Sequence, residues 1–198
     1  MLPYPEIYDL SDVETWKRNY LRKELLTQEW DLISNELIPD LFELPFFTSE
    51  FCDKWLENLE KENSQSIMIW GHNCEQIEFP TILKDLITNI FRDQMFNCYE
   101  HHWKVIFKTW ENISFQNYIV RFQKNEDLRA RHDSCLITNY IRLDSESVGG
   151  EIFFPKYDFT LKPKQGVLYF FPGRMTHRYG IKFIKSGVNT SLFIHANH

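Results

Sequence analysis

Arg131, His132 and Asp133 stand together in this chain, and a further histidine, His177, lies two residues before Tyr179. A carboxylate with two imidazoles on one face holds non-haem Fe(II) and leaves positions open for a co-substrate and O₂. These residue types therefore raise the question of a metal centre, and their spacing argues against one. On a strand, residues i and i+2 share a face, so Arg131 accompanies Asp133 while His132 points the other way. Arginine has no lone pair to give a metal and keeps its charge at any physiological pH. The expected outcome is an internal ion pair between Arg131 and Asp133. His177 or His132, joined to Asp133, is the remaining route to an unconventional metal site; for His177 the simpler reading is a hydrogen-bonded loop histidine. His101-His102 read as a solvated pair, and His195 and His198 as a surface strand and a frayed terminus.

The elements that must position these residues are short strands separated by turns. Residues 134–143 are β-branched, aromatic and partly alternating, as a half-buried strand requires. Gly149-Gly150 turns the chain, residues 151–154 resume as a strand, and Pro155 ends it. Pro163-Lys-Gln-Gly166 precedes the apolar run 167–171, Pro172-Gly173 breaks that run, and a last strand spans 190–195. Upstream, Ser11-x-x-Glu14 predicts a capping box, Thr48 or Ser49 a second helix start, and Pro80-Thr81 a third, each followed by an apolar stripe. The pattern predicts an α+β fold: a jelly-roll core, or double-stranded β-helix, buttressed by N-terminal helices. One domain covers 1–198, with 1–110 mainly helical support and 115–198 the jelly-roll core.

The order of the motifs is specific. A His-x-Asp position comes first, followed by Gly149-Gly150-Glu151 with aromatics and by Pro-Lys-x-Gly before an apolar strand. A distal ligand position and a closing Gly-x-Arg position complete it. This layout resembles 2-oxoglutarate dioxygenases of the prolyl and lysyl hydroxylase type. The chain is similar in particular to the C-terminal catalytic domain of procollagen lysyl hydroxylases, through Leu128-Arg129-Ala-Arg-His-Asp133, Gly149-Gly150, Phe154-Pro-Lys-Tyr157 and Pro172-Gly-Arg-Met-Thr-His177. Residues 13–20 and 43–53 extend the likeness over nearly the whole chain, with 67–79 shortened. The resemblance implies iron ligands at Arg131, Asp133 and Tyr179, and the arginine that pairs with the far carboxylate of 2-oxoglutarate at Asn189. Only Asp133 keeps the residue that the resemblance implies. A phenol that holds its proton to about pH 10 is a poor ligand for Fe(II), so Tyr179 is expected to hydrogen-bond to the Arg131–Asp133 pair.

Composition sets the remaining limits. A net charge of −6 argues against a nucleic-acid backbone as partner. Cys52, Cys74, Cys98 and Cys135 are scattered without a Cys-x-x-Cys, which speaks against a zinc site, and Cys135 reads as a buried small apolar residue. Aromatic residues make up 16% of the chain, enough for a dense core. Asn112-Ile-Ser114 and Asn189-Thr-Ser191 match the glycosylation acceptor pattern. No stretch is long and apolar enough to span a bilayer, and neither a signal peptide nor a retention tail is present. The sequence thus points to the cytoplasm, whereas the resemblance points to the endoplasmic reticulum.

The resulting expectation is a pseudo-oxygenase that binds neither Fe(II) nor 2-oxoglutarate and serves as a protein-binding or scaffolding module. It would pair with itself or with an active hydroxylase, since the resemblance implies association through catalytic domains. The alternative is an active Fe(II)/2-oxoglutarate hydroxylase of lysyl or other side chains with relocated ligands, Lys182, Lys185 or Arg178 replacing the lost arginine. A small-ligand binder reusing the barrel mouth is a third class, for which no motif is present.

Overall fold

A computed structural model describes residues 2–61, 64–69, 72–77, 81–104 and 113–197. Trp70, Trp110, Asn112 and His198 lie outside the described residues. The first helix, α1 (Val13–Tyr20), buries Trp16 and Tyr20. It is capped by Asp12, whose carboxylate accepts from the Thr15 backbone N–H at 2.9 Å, and not by Ser11 as the capping-box pattern predicts. The shorter helices α2 (Lys23–Thr27) and α3 (Trp30–Ile33) follow. Thr48 caps α4 (Ser49–Leu59), which turns Phe51, Cys52, Trp55 and Leu59 inward. Helix α5 (Thr81–Ile90) buries Leu83, Leu86, Ile87 and Ile90 and runs through a π-helical turn at Phe91–Met95 into α6 (Phe96–His102).

These helices cover one face of an eight-stranded antiparallel sheet. Its spatial order is β1 (Asn35–Ile38), β2 (Leu41–Pro45), β11 (Val167–Pro172), β7 (Ile137–Arg142), β14 (Asn189–Asn197), β5 (Ser114–Phe122), β4 (His72–Ile77) and β3 (Ser64–Ile69). A four-stranded sheet in the order β10 (Phe159–Leu161), β9 (Ile152–Phe154), β12 (Tyr179–Ile181), β6 (Leu128–Arg131) faces its other side, and β8 (Val148–Gly149) pairs with β13 (Ile184–Ser186). The arrangement is the helix-buttressed jelly roll that the turn pattern implies. The N-terminal half is less purely helical than its apolar stripes predict, because β1 to β4 all join the larger sheet.

The larger sheet separates two cores. Ile141, Leu168, Phe170, Leu192 and Ile194 face the helices, and Tyr140, Tyr169, Phe171 and Phe193 face the smaller sheet with Leu128, Ile152, Phe154, Tyr179 and Ile181. Every residue of β7 is therefore buried, not half-buried as alternation predicts, since both faces of the strand meet a core. The strand also begins at Ile137; residues 134–136 form the turn that feeds it. Two glycines answer to close approach. A Cβ at Gly149, with φ of 93°, would lie 2.3 Å from the Phe183 carbonyl oxygen, and one at Gly173 would lie 2.4 Å from that of Cys135.

Phe51 is fully buried and packs against Trp16, Tyr20, Phe47 and Trp55. Truncation leaves a cavity that neighbouring rings fill poorly. Phe51→Ala is expected to cost about 3–5 kcal/mol, read as a lower urea midpoint with an unchanged slope.

Candidate functional site

The space between the two sheets holds a buried charge cluster at one end. Arg131 closes β6 opposite Tyr179 at the start of β12, so their side chains share the inward face. Two residues beyond Arg131, outside the strand, Asp133 turns into the same space. Arg131 Nη2 lies 3.0 Å from Asp133 Oδ1, with side-chain exposures of 16% and 2%. The other oxygen, Oδ2, accepts from the Tyr179 hydroxyl and from the Thr138 hydroxyl of β7, each at 2.8 Å. His195 Nε2, from β14, lies 3.3 Å from it. The Tyr118 hydroxyl of β5 is 2.7 Å from that same ring nitrogen. A buried carboxylate left without partners would be prohibitively costly, and this one has both oxygens engaged.

The electrostatics follow from that enclosure. Burial alone would raise the Asp133 carboxyl, but the hydrogen bond and charge of His195, the Arg131 guanidinium and the Thr138 hydroxyl outweigh it and hold the group at about 2. Burial and the Asp133 charge push the Tyr179 phenol well above its ordinary range, so it remains a donor. Cys135, in the turn before β7, places its Sγ 3.3 Å from Thr138 Oγ1 and is pushed up to about 12 by burial. One ligand atom from each of Asp133, Cys135 and His195 lies within 4.8 Å of the other two.

On the face of β14 that also carries His195, Asn189 is fully buried. Ser191 donates to its Oδ1 at 2.8 Å, which leaves Tyr140 to donate to Ser191 at 2.7 Å. Its Nδ2 has no acceptor among the described residues. Arg142, two residues beyond Tyr140 on β7, is held by Asp144 Oδ2 at 3.0 Å and by the Ser147 carbonyl at 2.6 Å. The cations considered as substitutes at Asn189 lie elsewhere: Arg178 is exposed and donates to the Ala130 carbonyl at 3.2 Å, and Lys182 and Lys185 are exposed beside Phe153 and Phe183 in a surface hollow.

His132 and His177 lie where their spacing puts them, and His195 does not. His132 is exposed. His177 is buried with Nε2 2.9 Å from the Pro39 carbonyl oxygen, and its ring stacks on Tyr157, so it anchors the Pro172–His177 turn to the β1–β2 turn. Neither belongs to the Asp133 cluster. The histidine that does is His195, expected on a surface strand and found buried because β14 lies between β5 and β7. The local signal was present: Asn189, Ser191, Phe193 and His195 alternate and so share one face. Thr138 and Cys135 gave no such signal. His101 and His102 are engaged rather than simply solvated, with Asp31 and Ser34 each at 2.9 Å. Burial of Asn189 makes it an implausible glycan acceptor in the folded chain.

Comparison with known proteins places this geometry. No protein-family model matches the chain. The multifunctional procollagen lysine hydroxylase and glycosyltransferase of Rattus norvegicus is 23% identical over an alignment of 197 residues, covering 88% of this chain and 26% of that protein. Human procollagen-lysine,2-oxoglutarate 5-dioxygenase 2 is 20% identical over 193 residues, covering 87% of this chain and 25% of that protein. The chain thus spans about a quarter of the length of these relatives. A 2OG-Fe(II) oxygenase family protein from Burkholderia pseudomallei superposes with a TM-score of 0.62 at 12% identity, over 80% of this chain and 86% of that one. The viral collagen prolyl hydroxylase of Paramecium Bursaria Chlorella virus-1, in its 2OG complex, gives 0.56 at 16% identity, over 79% and 94%. The chain has the 2-oxoglutarate/Fe(II) oxygenase fold. Within this oxygenase fold its own residues fit iron poorly: a guanidinium and a phenol flank the one carboxylate, and the Asn189 amide supplies no charge to a dicarboxylate.

Two measurements test the cluster. Because the folded Asp133 carboxyl lies below its ordinary 3.8, it stabilises the fold above that value and the contribution disappears as pH falls through about 2. The wild type is expected to lose roughly 2–3 kcal/mol more than Asp133→Asn over that window, measured as the difference in urea midpoint between the two proteins. Arg131→Ala, which removes the cation on Oδ1 of a buried carboxylate, is expected to cost about 3 kcal/mol at neutral pH, measured by thermal unfolding.

Proposed function

We propose that this chain is an oxygenase-fold domain without oxygenase chemistry, acting as a protein-binding or scaffolding module. The observation that carries this reading is the Arg131–Asp133 ion pair with Tyr179 donating to the same carboxylate. A unit charge at about 4 Å interacts by about 4 kcal/mol at the effective dielectric of a protein near its surface, and a dication doubles that. Fe(II) brought to this carboxylate meets a fixed guanidinium where an imidazole should donate, and loses rather than gains by that contact. The engaged Asp133 oxygens and the neutral Asn189 support the same reading for 2-oxoglutarate.

The proposed partner is a second copy of this chain or an active hydroxylase of the same fold. Exposed Phe183 and Val148, at 59% and 52%, offer apolar contact area at the β8–β13 pair. Retained activity toward lysyl or other side chains is the competing reading, and the experiment below decides between the two.

Chelator-treated protein is titrated with Mn(II) as a redox-stable stand-in for Fe(II), together with 2-oxoglutarate, without O₂, following heat and melting temperature. The expected result is no 2-oxoglutarate-dependent heat and no rise in melting temperature. Micromolar co-binding would overturn the proposal, since a ligand at 100 times its Kd stabilises the folded state by about 2.7 kcal/mol. The combined variant Arg131→His, Tyr179→His, Asn189→Arg is expected to gain metal-dependent 2-oxoglutarate binding in the same titration.

A further inference from the structure

The Asp133 carboxylate divides its neighbours. Arg131 meets Oδ1, while His195 and Thr138 meet Oδ2, and Thr138 in turn meets the Cys135 Sγ. On the side away from the guanidinium, a carboxylate, a thiol and an imidazole converge with ligand atoms within 4.8 Å of one another. Among the described residues this is the one such group of three metal-ligating side chains, and all three are buried. The 3.3 Å between Asp133 Oδ2 and His195 Nε2 is the separation that two ligands about 2.0 Å from a tetrahedral centre adopt.

We propose that Asp133, Cys135 and His195 form a site for a thiolate-preferring divalent cation, Zn(II) being the representative. This site shares Asp133 with the iron position that the resemblance implies, differs from it in drawing on Cys135 and His195, and needs no 2-oxoglutarate. It extends beyond the pseudo-oxygenase reading and does not depend on it.

The donor set is soft and borderline, the combination that selects Zn(II) over Fe(II) or Mn(II). Charge balance favours a site that includes the thiolate: a divalent cation on Asp133 alone, beside Arg131, leaves two uncompensated positive charges, and the Cys135 thiolate reduces that to one. Without the cation, hydrogens take its place: the hydroxyls of Thr138 and Tyr179 and the edge of the His195 ring surround Oδ2. On binding, the Cys135 S–H proton leaves to solvent, a Zn–S bond forms, and His195 turns an unprotonated ring nitrogen to the metal. Arg131 stays on Oδ1 and orients the carboxylate. The Tyr118 hydroxyl, 2.7 Å from Nε2 and 2.8 Å from Nδ1 of His195, can accept from the ring nitrogen that stays protonated.

The test uses Co(II) as an optical probe on the chelator-stripped full chain, with no 2-oxoglutarate. One equivalent is expected to produce a near-ultraviolet thiolate-to-cobalt absorption and the visible bands of tetrahedral cobalt. Zn(II) should bleach both, and 2-oxoglutarate should leave both unchanged. Cys135→Ser should abolish the near-ultraviolet band, and Cys52→Ser should retain it. Absence of the band in the wild type, or its survival in Cys135→Ser, overturns the proposal. X-ray absorption on the Zn(II)-loaded wild type provides a readout independent of how well the variants fold. A sulfur neighbour at about 2.3 Å is expected, and a shell of nitrogen and oxygen alone overturns the site. Metal binding that requires 2-oxoglutarate and persists in Cys135→Ser would instead overturn the pseudo-oxygenase reading.

Discussion

Asp133 carries a full negative charge into the space between the two sheets, and the packing around it is governed by the cost of leaving that charge alone. Arg131 and Tyr179 reach it from β6 and β12 of the smaller sheet, Thr138 and His195 from β7 and β14 of the larger. Each donor sits on a different strand. The carboxylate is therefore a polar clip between sheets that adhere elsewhere largely through apolar contact, and it fixes their relative placement by direction as well as by burial. A resident metal would perform the same mechanical task. Here a guanidinium, an imidazole and two hydroxyls perform it.

The clip depends in turn on register. β14 is paired with β7 and β5 along almost its whole length, with Phe193 opposite Tyr140 and Tyr118. Because both faces of β7 and β14 are buried, a slip of one residue would exchange the two cores, moving Asn189, Ser191 and His195 toward the helices and Leu192 and Ile194 into the polar space. The aromatic helix side and the charged barrel interior thus hold each other in place. The helices α1, α4 and α5 matter to the site through this constraint although none of them contributes a side chain to it.

Much of this arrangement was readable from local pattern. The turn motifs from Gly149 to Pro172 place the strands because glycine and proline constrain the backbone locally, and the apolar stripes of α4 and α5 follow from helical spacing. The meeting of Arg131 with Asp133 was anticipated from their separation by one residue, although Asp133 lies beyond the end of β6 and not on the strand. Local pattern failed where a residue's environment comes from both sides at once. β7 reads as half-buried and β14 as exposed at His195, because alternation identifies which residues share a face and does not say that both faces will be covered.

By itself, then, the sequence determined the strands β7, β9, β11 and β14, the apolar faces of α1, α4 and α5, and the pairing of Arg131 with Asp133. All three depend on residues close together in the chain. The tertiary structure alone decided that β1 to β4 extend the larger sheet, that His177 serves the Pro39 carbonyl, and that His195, Thr138 and Cys135 gather with Asp133. Those contacts depend on non-local pairing, β14 lying between β5 and β7, strands that come well before it in the chain. Side-chain period fixes a residue's face, and only the pairing of distant strands fixes what that face meets.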